Sequence, residues 1–308
     1  MWLRPSTSRS AVAVLTLWPA VAAVGVPASA WAQACCAGGS AVTPGRLELH
    51  EDALVGMQLK FGQGLGSYDG GGHFVANGAG DAEQDFEQDA FAALRISRRG
   101  QVALLVPLIE TRRVTPTDGA KFGGGAGDVN ASVRYDFVLA GESRYVPGVA
   151  VLAGLTVPTG TPPESSTAPL AVDATGVGAY QGSVALALEQ TFGAWLVNAT
   201  AIVSARTPRF GETLGTQTTL LVAGAYTFPN DMAAALAVSY AFEPDATTDG
   251  GARVAASSKR LTVVTLSALW PITDTWRLLG GLFVDPPVDA ASSNQPSSAG
   301  LSVTVIRS

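Results

Sequence analysis

From about Asp52 to the C-terminus, small or polar residues alternate with apolar ones in runs of roughly ten to thirteen residues. The clearest run is Asp128-Val129-Asn130-Ala131-Ser132-Val133-Arg134-Tyr135-Asp136-Phe137, polar at every even position and apolar at every odd one. A period of two describes an extended strand with one wet face and one greasy face. Soluble strands average about five or six residues, so runs twice that length suit tilted strands that cross a bilayer. The pattern recurs along the chain, and it constrains the fold more than any single residue does.

Composition narrows the choice. The 308 residues are 47% hydrophobic and only 14% charged, against about a quarter charged in an ordinary globular protein. Beyond the N-terminal leader no run of about twenty apolar residues occurs, so helical spans are excluded. A barrel that interleaves a lipid face with a lumen face reconciles low charge with the absence of such helices. The net charge of −6 and the lack of a basic cluster argue against nucleic acid as a partner.

Residues 1–32 have the layout of a cleavable secretory signal peptide: Arg4 and Arg9, then an apolar core from Ala11 to Val26, then Ala-x-Ala sites ending at Ala30 and Ala32. Residues 33–51 form an N-terminal periplasmic lead, and 52–308 the barrel. Cys35 and Cys36 lie just past the cleavage site. They could close a strained vicinal disulfide, tether a partner or bind a soft metal. No third cysteine is present and only two histidines, His50 and His73, so soft ligands cannot complete a metal cage.

Twelve strands are expected, at 52–62, 86–97, 101–113, 126–138, 146–158, 177–191, 194–206, 215–228, 232–243, 259–271, 275–285 and 299–307; counts of ten to fourteen also fit the pattern. Their connections alternate. Short ones hold Arg98-Arg99-Gly100, 140–144, Phe192-Gly193, Pro229-Asn230-Asp231 and Thr273-Asp274; long ones cover 63–85, 114–125, 159–176, 207–214, 244–258 and 286–298. Short periplasmic turns and long extracellular loops are the habit of outer-membrane barrels. Aromatic residues flank the short turns, among them Phe137, Tyr145, Phe192, Trp195, Tyr226, Phe228, Trp270 and Trp276. Such rings favour the headgroup region.

Parity then assigns faces. Met57, Leu94, Val133, Tyr135, Leu186, Leu220, Val222, Leu236, Val238, Leu266 and Val303 are among the residues expected to meet lipid. Lys60, Glu87, Asp89, Arg95, Asp128, Arg134, Asp136, Glu189, Asn198, Arg206, Glu243 and Arg277 are expected to face the lumen. Five of these are basic and six acidic, a balance that argues against strong ion selectivity and allows pairing across the lumen. Around Pro107 the pattern slips, because Val102, Leu104 and Val106 share a parity with Glu110 and Arg112; a β-bulge there would restore it.

Catalytic chemistry is not legible. His50 and His73 fall outside the strands, and no acid, base and nucleophile converge, so no enzymatic activity and no cofactor are expected. Gly62–Gly66 and Gly123–Gly125 lack the strand-then-helix context of a phosphate loop.

Gly125-Ala126-Gly127-Asp128 followed by Arg134-Tyr135, and the strand from Pro147 to Pro158-Thr159-Gly160, resemble a family of outer-membrane transporters associated with the meta-pathway of phenol degradation. These motifs cover 36 residues, 125–160. The resemblance implies a pore-like barrel that passes hydrophobic or aromatic compounds, with no catalytic residue. One departure is the C-terminus, Val305-Ile306-Arg307-Ser308, where barrels read by the assembly machinery typically end in an aromatic residue. The expectation is therefore an all-β chain: a single antiparallel transmembrane barrel in a Gram-negative outer membrane, whose partners are membrane lipid, the barrel-assembly machinery and a small solute passing through. Two rivals stand beside it: a structural or adhesive barrel with a closed lumen, and a secreted soluble β-sandwich binding module.

Overall fold

The computed structural model describes Leu47 and residues 51–308 except Arg144. The expected signal peptide, Cys35, Cys36 and His50 lie outside the described residues. The strands are β1 (Ala53–Tyr68), β2 (Phe74–Ala76), β3 (Ala82–Ser97), β4 (Gly100–Thr115), β5 (Gly119–Ala126), β6 (Val129–Val138), β7 (Gly148–Val157), β8 (Gln181–Phe192), β9 (Trp195–Arg206), β10 (Glu212–Thr213), β11 (Gln217–Thr227), β12 (Ala233–Glu243), β13 (Thr247–Thr248), β14 (Lys259–Pro271), β15 (Trp276–Val284) and β16 (Pro296–Arg307). All but β2, β5, β10 and β13 belong to one antiparallel wall of twelve strands, each paired with its neighbour in sequence. β1 closes the ring against β16 from Val55↔Arg307 to Ser67↔Pro296. Closure removes both sheet edges, and it excludes the two-sheet sandwich.

The register makes the alternation three-dimensional. Val222 pairs with Val238, and Val238 with Val264; Leu236 pairs with Leu266. Val222 and Leu236 are more than half exposed. The intervening residues Leu221, Ala223 and Ala237 are buried on the opposite, inner face. A closed barrel with exposed valine and leucine outside is inverted relative to a soluble protein, and the outer belt needs an apolar solvent. At its turn end the belt carries rings in contact. Tyr135 meets Phe137, and Trp195, Tyr226 and Phe228 form a chain with centroids 5.0 Å apart.

Two expectations need correction. Residues 114–125 do not form a loop: β4 runs to Thr115 and returns as β5, paired from Leu108↔Ala126 to Thr115↔Gly119. The glycines that read as loop are tolerated because the backbones approach closely; a Cβ on Gly124 would lie 2.2 Å from the Ile109 carbonyl oxygen. Nor is there a bulge at Pro107. β4 stays in register with β3 through Asp89↔Pro107. On its other side β4 pairs with β6 only as far as Leu105 and with β5 only from Leu108. Pro107, which has no N–H to donate, sits at that change of partner, and its carbonyl accepts from Gly127 N–H at 2.9 Å. Glu110 and Arg112 face outward on the β4–β5 hairpin, with the Arg112 guanidinium against the Phe122 ring and bonded to Gln84.

Candidate functional site

Small residues occupy much of the inner face. Ser132, Gly154, Ser183 and Ser204 follow one another in register across four strands, β6 to β9. Ser267, Gly281 and Ser302 continue a similar row into Lys60 of β1. Beside the first of these rows lie Ala150, Leu152, Ala185, Ala187 and Ile202, a buried apolar patch on the inner side of β7 to β9. A barrel filled like a soluble core would carry bulky branched side chains at these positions.

The inward charges fall into clusters. Toward the short-turn end, Arg134 is 6% exposed and donates to Asp136 Oδ1 at 2.8 Å and Glu189 Oε1 at 2.9 Å. Asn198 and Thr200 extend that network. Arg277 reaches Glu51 at 2.6 Å. Lys60 pairs with Glu87 at 3.3 Å on the adjoining strand, one turn of the pleat from Asp89. At the long-loop end Arg206 is held on three sides: Nε donates to Gln181, Nη1 to Glu243 at 2.6 Å and Nη2 to Gln217 at 2.9 Å.

Two residues of the expected lumen set do other work. Arg95 lies at the turn rim, where its guanidinium donates to the carbonyls of Glu51 and Arg98. Asp128 precedes β6 and accepts from the amides of Gly160 (2.9 Å) and Val177 (2.7 Å). It thereby ties down both ends of the segment 158–180 that joins β7 to β8. That segment turns inward. Val172, 1% exposed, packs against Gly123 on the inner side of β5, and Thr175 Oγ1 donates to the Ala126 carbonyl. Gly160 and Gly176 touch backbone to backbone, where a Cβ on either would lie under 3 Å from the other glycine's Cα.

Both mouths are therefore narrowed. At the turn end Leu47 is 4% exposed among Leu54, Phe91, Ala93, Ala103 and Ile306, and its amide donates to Gln101. Ile306 faces inward in that cluster, away from the lipid. The outward neighbour is Arg307, stacked on Trp276. At the loop end a cavity of about 260 Å³ remains between the inward segment (Pro163, Gly176, Val177) and the wall at Arg206, Gln217, Glu243 and Lys259.

Sequence reasoning missed several of these residues. Lys259 shares the inward parity of its strand and could have been found by counting. Arg209, held by Glu164 at 3.0 Å and the Val177 carbonyl, sits in a connection with no periodicity. Arg113 closed the expected strand 101–113, but its partner Glu83, at 2.8 Å, fell in the expected loop 63–85, so the pair was not foreseen.

These features define a class: a closed twelve-stranded barrel of the outer-membrane type, with a polar and alanine-lined interior. The solved structures agree on that fold. A channel of the COG4313 type from the outer membrane of Pseudomonas putida F1 is similar at a TM-score of 0.68 and 16% identity, over 83% of this chain and 95% of that one. The NanC porin (TM-score 0.48, 9% identity, 82% and 99% covered) and the translocator domain of the autotransporter NalP from Neisseria meningitidis (0.46, 10%, 83% and 88%) share only the general outline. No protein-family model matches the sequence, and no curated protein matches it. The association with phenol degradation rests on the sequence resemblance alone.

Proposed function

We propose that this protein is a channel of the Gram-negative outer membrane that lets small solutes, hydrophobic or aromatic ones included, cross passively. The observation that carries this reading is the small-residue interior. Rows such as Ser132-Gly154-Ser183-Ser204 carry small side chains where a barrel packed like a soluble core would carry bulky branched ones. The inward charges are mostly neutralised by partners, so the interior presents hydrogen-bonding groups beside the apolar Ala150–Ala187 patch rather than a field of one sign. Export by the N-terminal signal and delivery by the assembly machinery belong to the same proposal.

Purified protein in planar bilayers should give unitary conductance, and proteoliposomes should swell in small neutral solutes. Absence of both current and flux would sink the channel. A second reading has one observation in its favour: Leu47 and the segment 158–180 narrow the two mouths. A closed barrel whose long loops act outside the cell would show that silence and still bind cells or surfaces.

A further inference from the structure

We propose that the cavity at the loop end is a binding subsite for a small amphipathic anion, a one-ring or short-chain carboxylate; this deepens the channel reading and names a solute class for it. The charge there is uneven. Arg206, Arg209, Lys259 and Arg260 line the cavity against the single carboxylate of Glu243. Two of these cations are paired with carboxylates, Arg206 with Glu243 and Arg209 with Glu164, and the Arg260 guanidinium is anchored on the Ser293 hydroxyl.

Lys259 is the exception. It stands directly opposite Glu243 in the β12–β14 ladder. Yet Glu243 Oε2 accepts from Arg206 at 2.6 Å, and Lys259 makes no ion pair with any described residue. An ammonium that lines the cavity without an ion pair of its own, with the Glu243 carboxylate already held by Arg206, favours an anion there. Gln217 lines the same cavity from β11, on the far side of β12; with its oxygen taken by Arg206, its amide N–H groups remain to donate to a bound head group. Apart from Gln295, the rest of the wall is apolar, at Pro163, Val177, Leu214, Ala241 and Leu261. The volume of about 260 Å³ falls below the roughly 300–1,000 Å³ of drug-sized sites. Such a cavity takes one charged head and one small apolar body.

The test uses the full protein in detergent micelles, titrated calorimetrically with sodium benzoate and with benzyl alcohol, a neutral molecule of the same size. Benzoate should bind at least about tenfold tighter, the effect of one charge-assisted contact. Lys259→Gln should erase that preference and Lys259→Arg should keep it, with heat-modifiable gel mobility showing that both variants are folded. A measurement on the unaltered protein is independent of the variants: the preference should shrink as salt is raised. Equal affinity for the two ligands, a preference indifferent to salt, or a preference that survives in folded Lys259→Gln would overturn the subsite. Bilayer recordings separate this from the channel reading. A protein that conducts without preferring benzoate loses the subsite and keeps the channel, whereas one that prefers benzoate without conducting does the reverse.

Discussion

Arg134 carries two carboxylates at once, and its guanidinium is almost wholly screened from solvent by them and by the wall. Removing it leaves Asp136 and Glu189 side by side in a confined space, a change that typically costs about 3–5 kcal/mol in a buried pair. Arg134→Ala is therefore expected to lower the urea midpoint of the refolded barrel markedly, and Arg134→Lys to recover only part of the loss, because an ammonium cannot bridge two acceptors in the fork geometry. An unchanged midpoint for Arg134→Ala would show that the cluster contributes nothing. The inward parity of these residues could be read from the chain, since Asp128 to Phe137 alternates without a break. Their pairing could not. Glu189 is 55 positions from Arg134, and only the closure of β6, β7 and β8 into adjoining strands brings them together.

At the scale of elements, β14 begins and ends at the residues its alternation indicated, 259 and 271, because nothing interrupts its pairing with β12. Pro107 and Gly123–Gly125 misled for a shared reason. A strand that changes partner, and a hairpin arm built from glycine, take their structure from a neighbouring strand that a one-dimensional pattern does not display. The segment 158–180 is the functional counterpart of that blindness, since its inward course depends on Asp128, far away in sequence. Asp128→Ala removes two charge-assisted hydrogen bonds, each worth about 1.5–3 kcal/mol. The segment should then leave the inner wall of β5, raising unitary conductance and exposing the Glu164 peptide bond to a glutamate-specific protease. Unaltered conductance and unaltered cleavage would dismiss the anchoring role.

Acid should loosen the same segment. Asp173 accepts from the Ser166 hydroxyl and from the amides of Thr167 and Ala168, and these bonds hold its carboxyl below the ordinary carboxylate value. A depressed folded pKa means that the contribution is complete above the unfolded value of about 3.9 and is lost as pH falls through the lower, folded one. Cleavage within Ser166–Asp173 by an acid-active protease should be faster at about pH 2 than at about pH 5, read at each pH without return to neutral. Asp173→Asn should be sensitive already at about pH 5, with no further acid step.

The whole molecule is defined by which side of the wall meets lipid, and neighbouring residues on one strand separate the two solvents. Val238 faces outward near the middle of β12, 42% exposed and flanked by Val222 and Val264, whereas Ser239 faces inward between Leu221 and Val263. An arginine on the lipid face near the midplane costs about 2–4 kcal/mol; in the lumen it meets water and polar groups. Val238→Arg is thus expected to lower the unfolding midpoint of the barrel in vesicles and the yield of heat-modifiable folded protein. Ser239→Arg should assemble normally and change conductance instead, since the added guanidinium occupies space on the solute path. If this were a water-soluble barrel, the order would reverse: Val238→Arg would sit harmlessly in solvent and Ser239→Arg would force a charge into a packed interior. The pair of variants therefore tests the membrane assignment without reference to any solute, and it turns on the period-two pattern alone, because a shift of one residue along β12 exchanges the two outcomes.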